Sequence, residues 1–152
     1  MLERSVHRPG LLMADLTFLL DTNIISEPVR PSPNKRVLTK IQQYEFRIAI
    51  SALTWHELLF GMNRIPDSAR RRELEQYLVQ GLAAEIPVLA YDQLAAEWHA
   101  TERARLAASW KVASFVDGQI AAVAAVNQLT LVTRNTKDFN FFTGLQIEDW
   151  SA

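Results

Sequence analysis

The 152-residue chain has no cysteine, only three histidines and five glycines, and a formal net charge of -1. Without cysteine there is no disulfide, no thiolate zinc centre and no cysteine nucleophile, and nothing calls for an oxidising compartment. The cytoplasm is the expected location. With so few glycines there is no glycine-rich phosphate loop and no G-x-G-x-x-G string, which argues against nucleotide-fold chemistry. Near-neutral charge gives no global attraction to nucleic acid, so a polyanion would have to be met by a local basic patch. No uninterrupted apolar run approaches the ~20 residues of a membrane span. Asp15 breaks the run from Leu11 to Leu20 and no small-x-small cleavage site follows it, so neither a membrane association nor a signal peptide is expected.

What is present suits one globular domain: 49% hydrophobic and 22% charged residues over a length that supports one full core. Residues 1–14 read as a loose N-terminal extension, with Met13 as a candidate translation start, and the domain is expected over 15–152. The stretch Leu16 to Leu20 reads as a buried strand that stops on Asp21. A short helical turn is expected before the prolines at 28, 31 and 33, which force an extended connection. Val37, Leu38 and Ile41 predict a helix from Asn34 to Tyr44, and Arg47 to Ile50 a strand, with Ser51 or Thr54 capping the next helix.

That helix carries Trp55, Leu58, Leu59 and Met62 and ends before Pro66. A further helix starts at Asp67 and Ser68, with Leu74, Tyr77, Leu78 and Leu82 on its apolar face and Arg70, Arg71 and Arg72 in its first turn. Glu85 to Leu89 reads as an edge strand because of Pro87. A long helix from Asp92 to Ala108 is expected to turn Leu94, Ala95 and Trp98 inward. From Ser114 a helix rich in small residues places Ile120, Ala121, Ala124 and Ala125 on the face of Asp117. Leu129 to Thr133 is the clearest strand, Arg134 to Asp138 a polar loop, and Leu145 to Ile147 a last strand. Strands alternating with helices predict an α/β fold: a central parallel-rich sheet of 4-5 strands flanked by helices on both sides.

Four acids stand out, and each has a structural alternative. Asp21 suits an N-cap; Thr54-x-x-Glu57 and Ser114-x-x-Asp117 match capping boxes; Asn135-x-x-Asp138 suits a turn with Asx bonding. Yet all four follow a predicted strand or open a helix, positions that converge on one edge of a parallel sheet. Converging carboxylates stay ionised together only if a cation neutralises them, and oxygen donors with little histidine suit Mg²⁺ or Mn²⁺. A metal held this way serves phosphodiester cleavage without a nucleophilic side chain. Arg134, Lys137 and the run Arg70 to Arg72 are candidates for the positive field; a solvated surface is the alternative for that run. His56 is expected to point away from Glu57 around the helix, and His99 to be a partly buried, hydrogen-bonded side chain.

The strings LLDTNIIS (19–26), ISALTWHELLFGMNR (50–64), FVDGQIAAVAA (115–125), LTLVTRNTKDF (129–139) and GLQIEDW (144–150) resemble the PIN-domain nucleases, specifically VapC- and FitB-like toxins of bacterial toxin–antitoxin pairs. The resemblance covers nearly all of the chain after Leu16. It implies a PIN-like fold and a Mg²⁺-dependent endoribonuclease, with Mn²⁺ able to substitute. Asp21 and Asp117 match the principal metal ligands, Glu57 the third acid, and Asp138 a variable fourth that Asn135 is an alternative to fill. Asn23, Thr133 and Asn135 match positions that orient the acids, a water or the substrate phosphate. A homodimer and a VapB-like antitoxin that occludes the site are also implied, with DNA contacted only through the antitoxin complex. The competing expectations are a non-catalytic PIN-fold interaction module that keeps the acids for capping, and a receiver-like phosphoryl-transfer domain, disfavoured because no second acidic cluster follows Leu89.

Overall fold

Three apolar residues, Phe18–Leu20, form the central strand β1 of a five-stranded sheet, and the remaining strands are arranged around it. In the computed structural model, which describes residues 15–152, β2 (Ile48–Ser51), β3 (Val88–Leu89), β4 (Thr130–Val132) and β5 (Ile147–Glu148) complete a sheet of order β3-β2-β1-β4-β5. Every pairing is parallel, with Phe18 opposite Ile48 on one side and Leu19 opposite Leu131 on the other. The predicted extension over 1–14 lies outside the described residues. The helices are α1 (Thr22–Ile25), α2 (Lys35–Gln43), α3 (Ala52–Asn63), α4 (Ala69–Glu75), α5 (Leu82–Glu85), α6 (Gln93–Ala108) and α7 (Phe115–Val126).

Both faces of the sheet are covered, as a parallel sheet requires, and the two-residue period of the strands assigns each side chain to a face. Leu19, Ala49 and Leu131 point to one core with Leu106, Phe139 and the Ile120 to Ala124 segment of α7. Phe18, Leu20, Ile48, Ile50 and Val132 point to the other, with Ile24, Ile25, Val37 and Ile41 of α1 and α2. The small residues of α7 do what their size predicts: Ala121, Ala122 and Ala124 are fully buried and let the helix lie close to the strands.

Three sequence expectations are corrected. Leu94 is exposed at 63%, because α6 turns Ala95, His99, Glu102 and Leu106 inward. A histidine and a glutamate occupy that stripe, so a count of apolar residues misplaces its phase. Glu102 is tolerated there because Arg105 and the Thr143 N–H bind its carboxylate. The single helix expected from Asp67 to Leu82 is interrupted by a π-helical turn over Gln76–Gln80 and by Gly81. From that turn the buried Tyr77 hydroxyl donates to the carbonyl of Ile25 at 2.6 Å, tying the segment to α1. The last strand begins at Ile147 rather than Leu145, since Ile147 is the residue in register with Leu131.

Helix α6 ends in a paired-carbonyl cap: Lys111 N–H reaches Leu106 O at 2.9 Å and Trp110 N–H reaches Ala107 O at 3.1 Å. The left-handed position of this cap, where glycine is favoured, is taken by Trp110 with φ 59°. An L-residue costs roughly 1–2 kcal/mol there. The Trp110 side chain returns nothing by packing, being 94% exposed.

Candidate active site at the carboxyl edge of the sheet

The strand order reverses direction between β1 and β4, and in open parallel sheets the crevice beyond the carboxyl ends at such a point is where ligands bind. Asp21 leaves β1 into this crevice and Thr133 leaves β4 beside it. The Asp21 N–H still pairs with Val132 O at 2.9 Å, so the backbone is fixed up to the acid itself. Asp21 Oδ1 accepts the Thr22 N–H at 2.8 Å, so the capping role expected from sequence is real. Oδ2 accepts the Thr133 hydroxyl at 2.9 Å. That hydroxyl also receives the Asn23 side-chain amide at 3.4 Å and the Asn135 N–H at 3.0 Å, which uses its one donor and both acceptor positions. Asn23 closes the clamp by accepting the Arg134 N–H at 3.2 Å.

The second acid comes from α3. Its N-cap is Ser51, whose oxygen accepts the Thr54 N–H at 3.1 Å, so the capping box read at Thr54 and Glu57 does not form. Glu57, freed from capping and exposed, instead accepts the Thr22 hydroxyl at 2.8 Å and is thereby joined to the residue after Asp21. Asp117 lies half-buried in the first turn of α7, with its N–H on the Ser114 cap oxygen at 3.0 Å. Asp138 is exposed in a 3-10 turn whose Asp138 N–H pairs with Asn135 O at 2.9 Å; this turn is closed by backbone, with no capping bond from the Asn135 side chain.

Electrostatics separate these acids from the others in the chain. Burial pushes the Asp21 carboxyl up; hydrogen bonds from Thr133 and Thr22 oppose this, and the charges of Asp117 and Glu57 add to it. Asp117 is likewise pushed up by burial, opposed by Ser114, and then by the charges of Asp138 and Glu57. Glu27 is the contrast. Burial would raise it, but the Asn34 N–H and the guanidinium groups of Arg30 and Arg134 together hold it below the ordinary range. Glu102 is held low chiefly by Arg105. The acids elsewhere in the interior thus have cationic partners, whereas among the described residues no ion pair neutralises Asp21, Glu57, Asp117 or Asp138.

Asp21, Glu57 and Asp117 therefore lie in electrostatic reach of one another, with Asp138 joined to them through Asp117. Among the described residues, no three of the His, Asp and Glu side chains stand as a ready-made cage for a metal ion. The donor set is nonetheless all oxygen, uncompensated and mutually repelling, which fits a hard divalent cation better than any neutral occupant.

The cationic candidates fare unevenly. Arg134 sits at the site by its backbone, but its guanidinium turns to the buried Glu27 at 2.5 Å, and its Nε is buried without a partner. Arg70 binds the carbonyl of Val29, Arg71 reaches Ile65 O at 2.8 Å and Glu75 at 3.0 Å, and Arg72 lies 3.3 Å from Asp67. Arg71 and Arg72 thus brace the α3–α4 connection, and Arg70 ties α4 to the segment after α1. Lys137 remains exposed. His56 is exposed and stacks on Phe60, while His99 is buried with its Nδ1 3.1 Å from the Tyr91 hydroxyl. Sequence reasoning missed Glu27, since a lone acid before Pro28 carries no periodic signal; its partners are 3 to 107 residues away.

Comparison with known proteins agrees with this architecture. The family model described as PIN domain matches residues 18–141. The Toxin FitB of Neisseria gonorrhoeae is 34% identical over 124 residues, covering 80% of this chain and 89% of its own. The tRNA(fMet)-specific endonuclease VapC of Shigella flexneri is 32% identical over 136 residues, covering 90% and 99%. Among solved structures, that of FitAB bound to an IR36 DNA fragment superposes with a TM-score of 0.82 at 29% identity, covering 90% of this chain and 96% of that one. With the parallel sheet, the acids at its carboxyl edge and these matches in agreement, the chain belongs to the PIN domain family.

Proposed function

We propose that the chain is the toxin of a toxin–antitoxin pair and acts as a Mg²⁺-dependent endoribonuclease, hydrolysing RNA phosphodiester bonds. The observation that carries this reading is the buried Asp21, fixed by Thr133 and Thr22 and facing Asp117 and Glu57 with no counter-cation. Relatives named as a toxin and as a tRNA-specific endonuclease support it. Asp21, Asp117 and Glu57 would hold the metal, with Asp138 or Asn135 completing the set. A bound Mg²⁺ would supply a water of lowered pKa and offset charge on the scissile phosphate. The chain's own residues do the rest. Thr133, itself held by Asn23, keeps the Asp21 carboxylate in one orientation, and Glu57, anchored by the Thr22 hydroxyl, is the acid that binds the metal or activates its water. The backbone N–H groups of Arg134 and Asn135 brace Asn23 and Thr133, which leaves the exposed Asn135 side-chain amide as the donor for a phosphate oxygen. The same reading includes a homodimer, a VapB-like antitoxin that covers the site, contact with DNA only in that complex, and a cytoplasmic location.

The test is cleavage of RNA by the purified chain with Mg²⁺ or Mn²⁺ against EDTA. Activity should require the metal and vanish in Asp21→Asn and Asp117→Asn variants that keep native circular dichroism; a folded, fully active Asp21→Asn chain would sink the proposal. The capping role that Asp21 does fill favours a second reading, a non-catalytic PIN-fold interaction module that keeps the acids for capping. Calorimetric titration with Mn²⁺ separates the two, since the module has no binding site that those substitutions remove.

A further inference from the structure

Beyond the acids, the end of α6 and the segment leading into α7 enclose a cavity of about 360 Å³. Leu106, Phe115 and Phe142 make its apolar floor, and Arg103, Trp110 and Lys111 its rim. No acid lines it, and neither rim cation makes an ion pair among the described residues. Arg103 instead lies over the Phe115 ring at 5.0 Å. The groove against α2 is different: two acids, Glu148 and Asp149, line it together with Lys35, Arg36 and Lys40.

Aromatic faces combined with uncompensated cations are what single-stranded nucleic acid requires, since every base can stack and every linkage is anionic. Trp110 strengthens the case. It is held in a left-handed backbone position that disfavours its side chain, yet stands 94% exposed, so its ring is presented to something outside the chain. Phe115, also half-exposed, gives the cavity a second aromatic face at the first turn of α7.

We propose that this cavity seats a base of the bound RNA strand, stacked on Phe115 and Trp110, with a backbone phosphate between Arg103 and Lys111. The inference rests on the ribonuclease reading and adds to it the place where the strand is gripped. The test uses the full chain and a fluorescein-labelled single-stranded RNA of about ten nucleotides, with EDTA present to prevent cleavage. Trp110→Ala and Phe115→Ala should each weaken binding about 5- to 160-fold, the range of one lost stacking contact. Trp110→Phe should restore most of it, and Lys111→Gln should flatten the salt dependence. With Mg²⁺, the alanine variants should raise KM more than they lower kcat.

Undiminished RNA affinity in the Trp110→Ala, Phe115→Ala double variant of a chain that still cuts RNA overturns the proposal and leaves the ribonuclease reading standing. So does a variant with unchanged RNA affinity whose size by light scattering drops, which assigns the surface to a second copy, or one that loses only a protein partner. If the wild-type chain neither binds nor cuts RNA, both readings fall together.

Discussion

The Thr133 hydroxyl donates to Asp21 Oδ2 across 2.9 Å, joining residues 112 apart in sequence at the one place where the strand order reverses. Because the same oxygen accepts from Asn23 and Asn135, replacing it disturbs three contacts at once. Thr133→Val keeps the shape and removes the hydroxyl. RNA cleavage should fall roughly 10- to 100-fold, the usual effect of losing a group that orients a metal ligand. Thr133→Ser should recover most of the rate, while an unaltered rate in the valine variant would show that Asp21 needs no such support.

Asp21 and Asp117 are expected to make the metal-free fold less stable near neutral pH. Their carboxyls are pushed up by burial and by neighbouring acids. Between the ordinary carboxylate range and the raised values the folded chain binds more protons than the unfolded one, so stability falls as pH rises through that window and is level above it. Asp21→Asn should therefore raise the metal-free melting temperature by ~2–4 °C, about 1 kcal/mol, while losing activity. Mn²⁺ should raise the melting temperature of the wild type and leave the variant unmoved; thermal scans with and without Mn²⁺ read both effects.

Glu27 has the opposite sign. Held below the ordinary range despite its burial, it contributes stability that is present above the unfolded carboxylate range and is lost as pH falls toward its depressed folded value. Glu27→Ala leaves the half-buried Arg134 guanidinium unmatched; breaking a fully buried pair costs about 3–5 kcal/mol, so a loss of about 2 kcal/mol is expected for this partly screened one. Urea unfolding should show this loss at pH 7 and a smaller one at pH 3. Equal losses at both would rule out the ion pair as the cause.

Gly118→Ala tests how closely α6 and α7 pack. In a helix this change ordinarily stabilises by about 1 kcal/mol. Here the added Cβ would stand 2.2 Å from His99 Nε2, so a loss of about 1–3 kcal/mol is expected instead. Combining it with His99→Ala should give less than the sum of the two single losses, because the second change removes the obstacle. Additive losses would place the strain elsewhere.

The sheet, the helices on both its faces and the place of the acids were all legible in the sequence. Runs such as Phe18 to Leu20 and Leu129 to Val132 are apolar, short and closed by polar residues, and a strand-then-acid order has few realisations in a parallel sheet. Capping was read correctly at Asp21 and Ser114, because an N-cap needs only local spacing. What was not legible depends on partners distant in sequence. The burial of His99 and its hydrogen bond agree with expectation, but Glu102 looks like a surface residue until Arg105 and Thr143 are placed around it, so the inward stripe of α6 is out of phase with its apolar residues and Leu94 faces out. Glu27 is silent for the same reason. The π-helical turn at Gln76–Gln80 is set by the reach of Tyr77 to Ile25, which no local pattern encodes.

The two outer strands, β3 and β5, are only two residues long each. An unpaired strand edge is a template on which another chain can add, and brevity is one of the ways natural sheets blunt it. With Pro87 beside β3 removing one more backbone donor, this sheet offers little for a neighbour to zip onto. The chain is thereby protected from open-ended stacking through its sheet, and the proposed homodimer would have to form through side-chain surfaces, which can be finite and reversible.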